Sequence, residues 1–249
     1  MIELIDLHKK LARRKVLDGL SLKVERGETM VIIGRSGSGK SVTFKHITGL
    51  FRPDRGQVLV DGVDVASASR AQLDEVRRRL GVLFQSGALI NWLSVAENVA
   101  LPLRELTNLG EAEIQRIVAE KLDLVELTGA ENQMPDSLSG GMRKRAGLAR
   151  ALVRDPEIIL YDEPTAGLDP IMANRINELI IDMQRKLKVT SLIVTHDMES
   201  AFMVADRIAM LFGGKIIQVG TPQEIQATTN PIVRQFIDGK TQGPVGEQE

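Results

Sequence analysis

The chain has 249 residues, a formal charge of −1 and 43% apolar side chains, enough to bury one large core or two smaller ones. The near-zero charge excludes bulk electrostatic attraction to nucleic acid or an anionic membrane, so no nucleic-acid partner is expected. The absence of cysteine excludes a disulfide scaffold, a Cys-ligated zinc site and thiol catalysis.

The opening residues, Met1-Ile2-Glu3-Leu4-Ile5-Asp6, have no basic start followed by an apolar stretch, so no signal peptide is expected. No apolar run approaches the roughly 18 residues of a spanning helix, which predicts a cytoplasmic protein. Residues 20–24 and 57–60 alternate apolar and polar, predicting antiparallel strands with one wet face. Residues 30–33, 158–161 and 192–194 are unalternated apolar runs, predicting strands buried on both faces of a parallel α/β sheet. Ile114, Ile117, Val118, Leu122 and Val125 share one helical stripe, as do Met172, Ile176, Leu179, Ile180, Met183 and Leu187, predicting two amphipathic helices. Residues 208–212 and 215–219 flank Gly213-Gly214, a hairpin signal. From Gly239 the chain is rich in Gly, Pro and Gln, which suits either a frayed end or a segment held by another chain.

The predicted strand at 30–33 runs into Gly34-Arg35-Ser36-Gly37-Ser38-Gly39-Lys40-Ser41-Val42. This is the full G-x-x-x-x-G-K-[ST] pattern, placed after a strand and before a helix. The glycines let successive backbone N–H groups turn toward one point and cradle phosphate oxygens. The helix that follows presents its positive end to the same anion. Lys40 has the reach for β- and γ-phosphates, and the Ser41 hydroxyl is a Mg²⁺ ligand.

The run at 158–161 ends in Asp162-Glu163, followed by Pro164. A carboxylate at the C-terminal end of a buried strand suits Mg²⁺ held through water. Side chains alternate along a strand, so Glu163 faces the same way only if the strand stops there, and then it is placed to polarise an attacking water. By itself the pair is equally a solvated strand end. Leu138-Ser139-Gly140-Gly141-Met142 precedes a long helical stretch ending near Arg154. Ser139 suits a helix cap and the glycine pair leaves N–H groups bare, a second anion site. The same residues also describe a well-capped helix with solvated Arg143, Lys144 and Arg145.

Taken together, these segments resemble the ATP-binding-cassette (ABC) ATPase family over nearly the whole chain. Residues 138–142 resemble its signature motif, with Met142 in place of the commonest Gln. Gln85 stands where the family's Q-loop glutamine lies, Ala166-Gly167-Leu168-Asp169 resembles the D-loop, and His196 after Val194-Thr195 resembles the switch histidine. The resemblance implies a P-loop NTPase fold: a mostly parallel core sheet flanked by helices, an N-terminal antiparallel β-subdomain, and an inserted helical subdomain at about 86–155. The cassette would span 1–238 and the tail 239–249. It implies that two copies pack head to tail around two ATP molecules with Mg²⁺. Leu138, Ser139, Gly140 and Gly141 of one copy would then face the γ-phosphate held by Lys40 of the other. Glu163 would be the general base, His196 would hold the γ-phosphate and link to Asp169, and Gln85 would join Ser41 and Asp162 at the metal.

Within the family, Phe84-Gln85-Ser86-Gly87-Ala88-Leu89, Pro102-Leu103-Arg104-Glu105 and the stretch from Val233 to Gly239, with Gly243-Pro244-Val245 beyond, resemble the Mla-type phospholipid transport ATPases. That resemblance implies a homodimer under an integral membrane permease at the cytoplasmic face of the inner membrane. An MCE-domain lipid-binding protein and, in some members, a small STAS-domain subunit complete the group, and the tail reaches across to the partner ATPase. Residues 88–93, with Trp92, would face the permease. The second reading within the family is the ATPase of an importer for a polar solute. One departure concerns the base. The aromatic residue on which the family stacks adenine is Leu11 here, with His8, Lys9, Lys10, Arg13, Arg14 and Lys15 around it. Leucine offers apolar contact but no π-face, so GTP use stays open beside ATP.

Overall fold

The computed structural model describes residues 1–12 and 14–244; the expectations placed on Arg13, Val245 and the end of the tail fall outside them. The chain forms two compact units, residues 1–69 with 192–249, and residues 70–191. Among the described residues no helix is long and apolar enough to cross a membrane.

The first unit begins with strands β1 (Ile2–Leu11) and β2 (Arg14–Val24), then β3 (Thr29–Ile33), helix α1 (Lys40–Ile47), and strands β4 (Arg55–Val60) and β5 (Val63–Asp64). An antiparallel sheet forms in the order β2-β1-β4-β5, with Ile2 opposite Val24 and Val60, and Leu4 opposite Leu22 and Val58. β1 escapes a pattern reading because its buried positions are Ile2, Leu4 and Leu7, spaced two and then three. The ladder shifts register between Leu4 and Leu7, where Asp6 takes φ +46°; the bulge breaks the period of two.

β3 is buried at every residue and pairs in parallel with β9 (Arg207–Phe212), Met30 opposite Arg207 and Ile33 opposite Met210. β10 (Lys215–Gly220) completes the expected hairpin with β9 around Gly213-Gly214, both at positive φ. On the other side of β3 lies β8 (Thr190–Thr195), buried throughout. Short helices α7 (Met198–Val204), α8 (Pro222–Gln226) and α9 (Pro231–Asp238) close this unit. Asn230 caps α9 by accepting from the N–H of Ile232 and Val233, and Gly239 ends it in the left-handed conformation, the usual asymmetry of a helix with Pro at its start.

The second unit holds α2 (Arg70–Arg78), β6 (Leu80–Leu83), α3 (Val95–Leu106), α4 (Glu111–Leu124), α5 (Gly140–Leu152), β7 (Ile158–Asp162) and α6 (Pro170–Leu187). β6 and β7 pair in parallel, Leu80 opposite Ile158 and Leu83 opposite Tyr161. The stripes predicted around 114–125 and 172–187 become α4 and α6. α3 was not legible as a helix, since Pro102 lies inside it and costs a hydrogen bond there. A reciprocal cap between Ser94 and Glu97 starts it.

Candidate functional site

In the first unit, β3 delivers the chain into residues 34–39 and α1 receives it at Lys40. Gly37 and Gly39 hold φ +78° and +109°, a region that L side chains avoid. A Cβ on Gly34 would stand 2.6 Å from the Leu211 carbonyl oxygen and 2.9 Å from Ser38 Oγ, so only glycine fits there. Lys40 is 6% exposed, and its ammonium donates to the carbonyl oxygens of Gly34 at 2.7 Å and Arg35 at 3.2 Å. The lysine is thus folded back over its own loop, its charge partnered by backbone dipoles. Ser38 Oγ is buried without a hydrogen-bond partner. A buried polar atom in a glycine cradle at the start of a helix fits a phosphate group. Ser41 is exposed on the first turn of α1.

Also in this unit, His196 follows the last residue of β8 and is exposed, while Asp197 accepts from the Ser200 N–H and caps α7. Leu11 ends β1 and is exposed. His8 is engaged within the sheet: Nε2 lies 3.0 Å from Asp6 Oδ1 and Nδ1 3.3 Å from Asp18 Oδ1. It is a residue of β1.

In the second unit, β7 stops at Asp162, so the condition for Glu163 to follow it out of the strand is met. Glu163 sits at φ +50°, a conformation that costs a non-glycine residue about 1–2 kcal/mol. An open cavity of about 590 Å³ lies at this point, lined by Phe84, Gln85, Ser86, Asp162, Ala166 and Gly167 among others. Gln85 and Asp162 therefore share one cavity. Both offer oxygen, the donor type that Mg²⁺ requires.

The segment at 138–142 lies in the same unit. Ser139 caps α5, its hydroxyl accepting from the Met142 N–H at 3.2 Å, and is exposed. A Cβ on Gly141 would stand 2.4 Å from Met172 Cε, and one on Gly140 3.2 Å from Leu168 Cδ2; both glycines let the 166–172 segment lie close. Asp169 caps α6 by accepting from Ile171 and Met172 N–H groups at 3.1 and 3.0 Å.

The basic residues of α5 are not the solvated face that a charge run suggests. Lys144 is 4% exposed and donates to the Glu163 carbonyl oxygen at 2.9 Å. Burial lowers it to about 8, against the opposing pull of Glu163 and Asp162. Arg145 donates to the Glu126 carbonyl. Arg150 donates to the carbonyls of Ala88 at 2.7 Å and Gly87 at 2.9 Å, tying the turn after Gln85 to the helix. Asn98, wholly buried, accepts from the Ile90 N–H at 2.7 Å and donates to the carbonyls of Ile90, Leu93 and Ser94. It shapes the loop on which Trp92 stands 79% exposed. Sequence reading missed these anchors, because a long polar side chain that bonds to distant backbone leaves no local pattern.

A sequence model of the ABC transporter family matches residues 17–166. The chain belongs to the ABC transporter family. The probable ribonucleotide transport ATP-binding protein mkl of Mycobacterium leprae is 45% identical over the whole of this chain and 72% of its own. The intermembrane phospholipid transport ATP-binding proteins MlaF of Haemophilus influenzae and Escherichia coli K12 are 42% and 41% identical, over 98% of this chain and 93% and 91% of theirs. A dimeric ATP-binding cassette, MJ0796, bound to ADP and phosphate after hydrolysis, superposes with TM-score 0.81 at 32% identity, covering 89% of this chain and 99% of the other. The family's fold is the α/β P-loop type expected, and the chain is an ATPase coupled to transport. Family cassettes act as dimers with membrane permeases, and they bind ATP.

Proposed function

We propose that this ATPase drives movement of phospholipids between inner and outer membranes. The observation that carries this is the match, over 98% of the chain at 41–42% identity, to proteins named for intermembrane phospholipid transport. The chain would act as a homodimer, peripheral at the cytoplasmic face of the inner membrane beneath an integral permease. An MCE-domain lipid-binding protein and a small STAS-domain subunit are its further partners in this reading. The exposed Trp92 loop is the surface offered to the permease.

The site residues divide the work. Backbone N–H groups of residues 34–39 and the Lys40 ammonium bind the phosphates, and Val42 continues the helix whose start faces them. Ser41, Asp162 and Gln85 supply oxygens for Mg²⁺, which when bound neutralises charge on the β- and γ-phosphates. Glu163 takes the proton of the attacking water. His196 holds the γ-phosphate, with Asp169 linking to it. From a second copy, Leu138, Ser139, Gly140 and Gly141 bring a capped helix start to the same phosphate. Positioning and charge stabilisation supply most of the rate in such a reaction.

A second reading is favoured by one observation: the 45% identical mycobacterial relatives are named for ribonucleotide transport, which would make this the ATPase of a polar-solute importer. The two separate in one experiment. The chain is purified with its membrane partners and reconstituted, then assayed for ATP-dependent transfer of a fluorescent phospholipid and for uptake of a labelled ribonucleotide. Lipid transfer that stops with Glu163→Gln is expected. Ribonucleotide uptake without lipid transfer would overturn the phospholipid reading.

A further inference from the structure

We propose that Lys144 is a positioning residue for ATP hydrolysis, pinning the backbone of Glu163 so that its carboxylate is held at one angle to the attacking water. The proposal rests on the reading of Glu163 as general base.

Three observations converge. The first is the cost of the lysine itself. A cation 4% exposed loses most of its hydration, and proteins keep such a group only where a specific partner compensates it. The partner here is the Glu163 carbonyl oxygen, 2.9 Å away and 19 positions on in the chain. The second is the strain at that partner. Glu163 is at φ +50°, and a non-glycine residue persists there only when its surroundings over-determine it. The same carbonyl also accepts from the Ala166 N–H at 3.2 Å. Two donors, one on α5 and one in the turn that follows β7, thus fix the peptide that follows Glu163. Rotating that peptide toward ordinary backbone would break both bonds and leave the ammonium buried without its acceptor. The third is where Lys144 comes from. It stands on α5, the helix whose N-terminus presents Ser139, Gly140 and Gly141. One rigid element therefore carries both the candidate anion-binding end and the clamp on Glu163.

The other basic residues of α5 do different things. Arg145 reaches the Glu126 carbonyl and Arg150 the carbonyls of Gly87 and Ala88. A general role in holding α5 down would be shared among them. Only Lys144, among the bonds described, reaches the exit of β7.

The test is steady-state ATP turnover of the full chain carrying Lys144→Met, which keeps the apolar stem and removes the donor. A displacement of the base by about 1 Å costs about 100-fold in rate, so kcat is expected to fall by about that factor while KM for ATP changes by less than about threefold. Lys144→Arg, which restores a donor, is expected to recover most of kcat. The deciding measurement is the double variant with Glu163→Gln. If Lys144 works through Glu163, the double variant is no slower than Glu163→Gln alone, whereas independent effects multiply. Multiplicative loss, an unchanged kcat in Lys144→Met, or a loss confined to KM would each overturn the proposal. Should Lys144→Met fail to fold, Lys144→Gln, with a neutral donor of shorter reach, is put through the same cycle. Failure of the underlying reading looks different: Glu163→Gln itself would turn over near the wild-type rate.

Discussion

The phosphate loop at 34–41 and the exit of β7 at 162–163 solve the same problem in opposite ways. Each must bend the backbone into a conformation that ordinary residues avoid. The loop does it with residues that accept the conformation freely: Gly37 and Gly39 at φ +78° and +109°. The β7 exit does it with a glutamate at φ +50°, a residue that offers a carboxylate where glycine has none. The first conformation is encoded where it occurs. The second is held from outside, by a lysine on another helix. Strain that chemistry demands has to be balanced by tertiary contacts, and those contacts are invisible in the local sequence.

The largest expected effect tests what the β7 exit is for. Glu163→Gln is nearly isosteric and removes the carboxylate's charge and with it the ability to take a proton. General-base catalysis contributes about 100- to 10,000-fold, so turnover should fall by that order while ATP binding and ATP-dependent dimerisation persist. Turnover assays beside size-exclusion chromatography check both halves. Next in size, Lys40→Ala acts on the loop and should do the reverse, removing affinity first. Hydrogen bonds to charged groups are worth about 1.5–3 kcal/mol, so calorimetry should show ATP binding weakened by about 10- to 100-fold. Equal affinity would remove the phosphate assignment.

The same contrast explains what could be read from sequence. The glycine loop, the strand at 158–161, the Ser139 cap and the hairpin at 213–214 were legible because each is a local pattern of residue type at fixed spacing. β1 was not, because its bulge at Asp6 shifts the buried positions out of alternation. Nor were Lys144, Arg150 and Asn98, whose acceptors are backbone carbonyls; for Lys144 and Arg150 these lie far along the chain. Backbone acceptors exist at every residue, so nothing in the sequence marks which one a long side chain will find. Leu11, by contrast, stood out as a departure from an expected residue type, and it is found exposed at the end of β1.

Two smaller effects probe the backbone argument directly, and their signs should differ. Gly37 has nothing within 4 Å of a Cβ built on it, so Gly37→Ala meets no steric obstacle and carries the penalty of φ +78°, offset in part by alanine's less free unfolded chain. The penalty is about 1–2 kcal/mol and the offset about 0.5–1 kcal/mol, so in a protein of this size Tm falls by a few degrees at most, at about 2–4 °C per kcal/mol. Glu163→Gly compared with Glu163→Ala is the mirror experiment, because both lose the carboxylate and its pull on the Lys144 ammonium. Glycine relieves the left-handed strain that alanine keeps, worth about 1–2 kcal/mol, but its freer unfolded chain takes back about 0.5–1 kcal/mol. The net is an advantage of up to about 1.5 kcal/mol for the glycine variant, read as a higher Tm by calorimetry. A glycine variant that melts above its alanine counterpart is the signature of left-handed strain at this position. If it melts below instead, the backbone at 163 carries no such strain, and the contrast with the glycine loop dissolves.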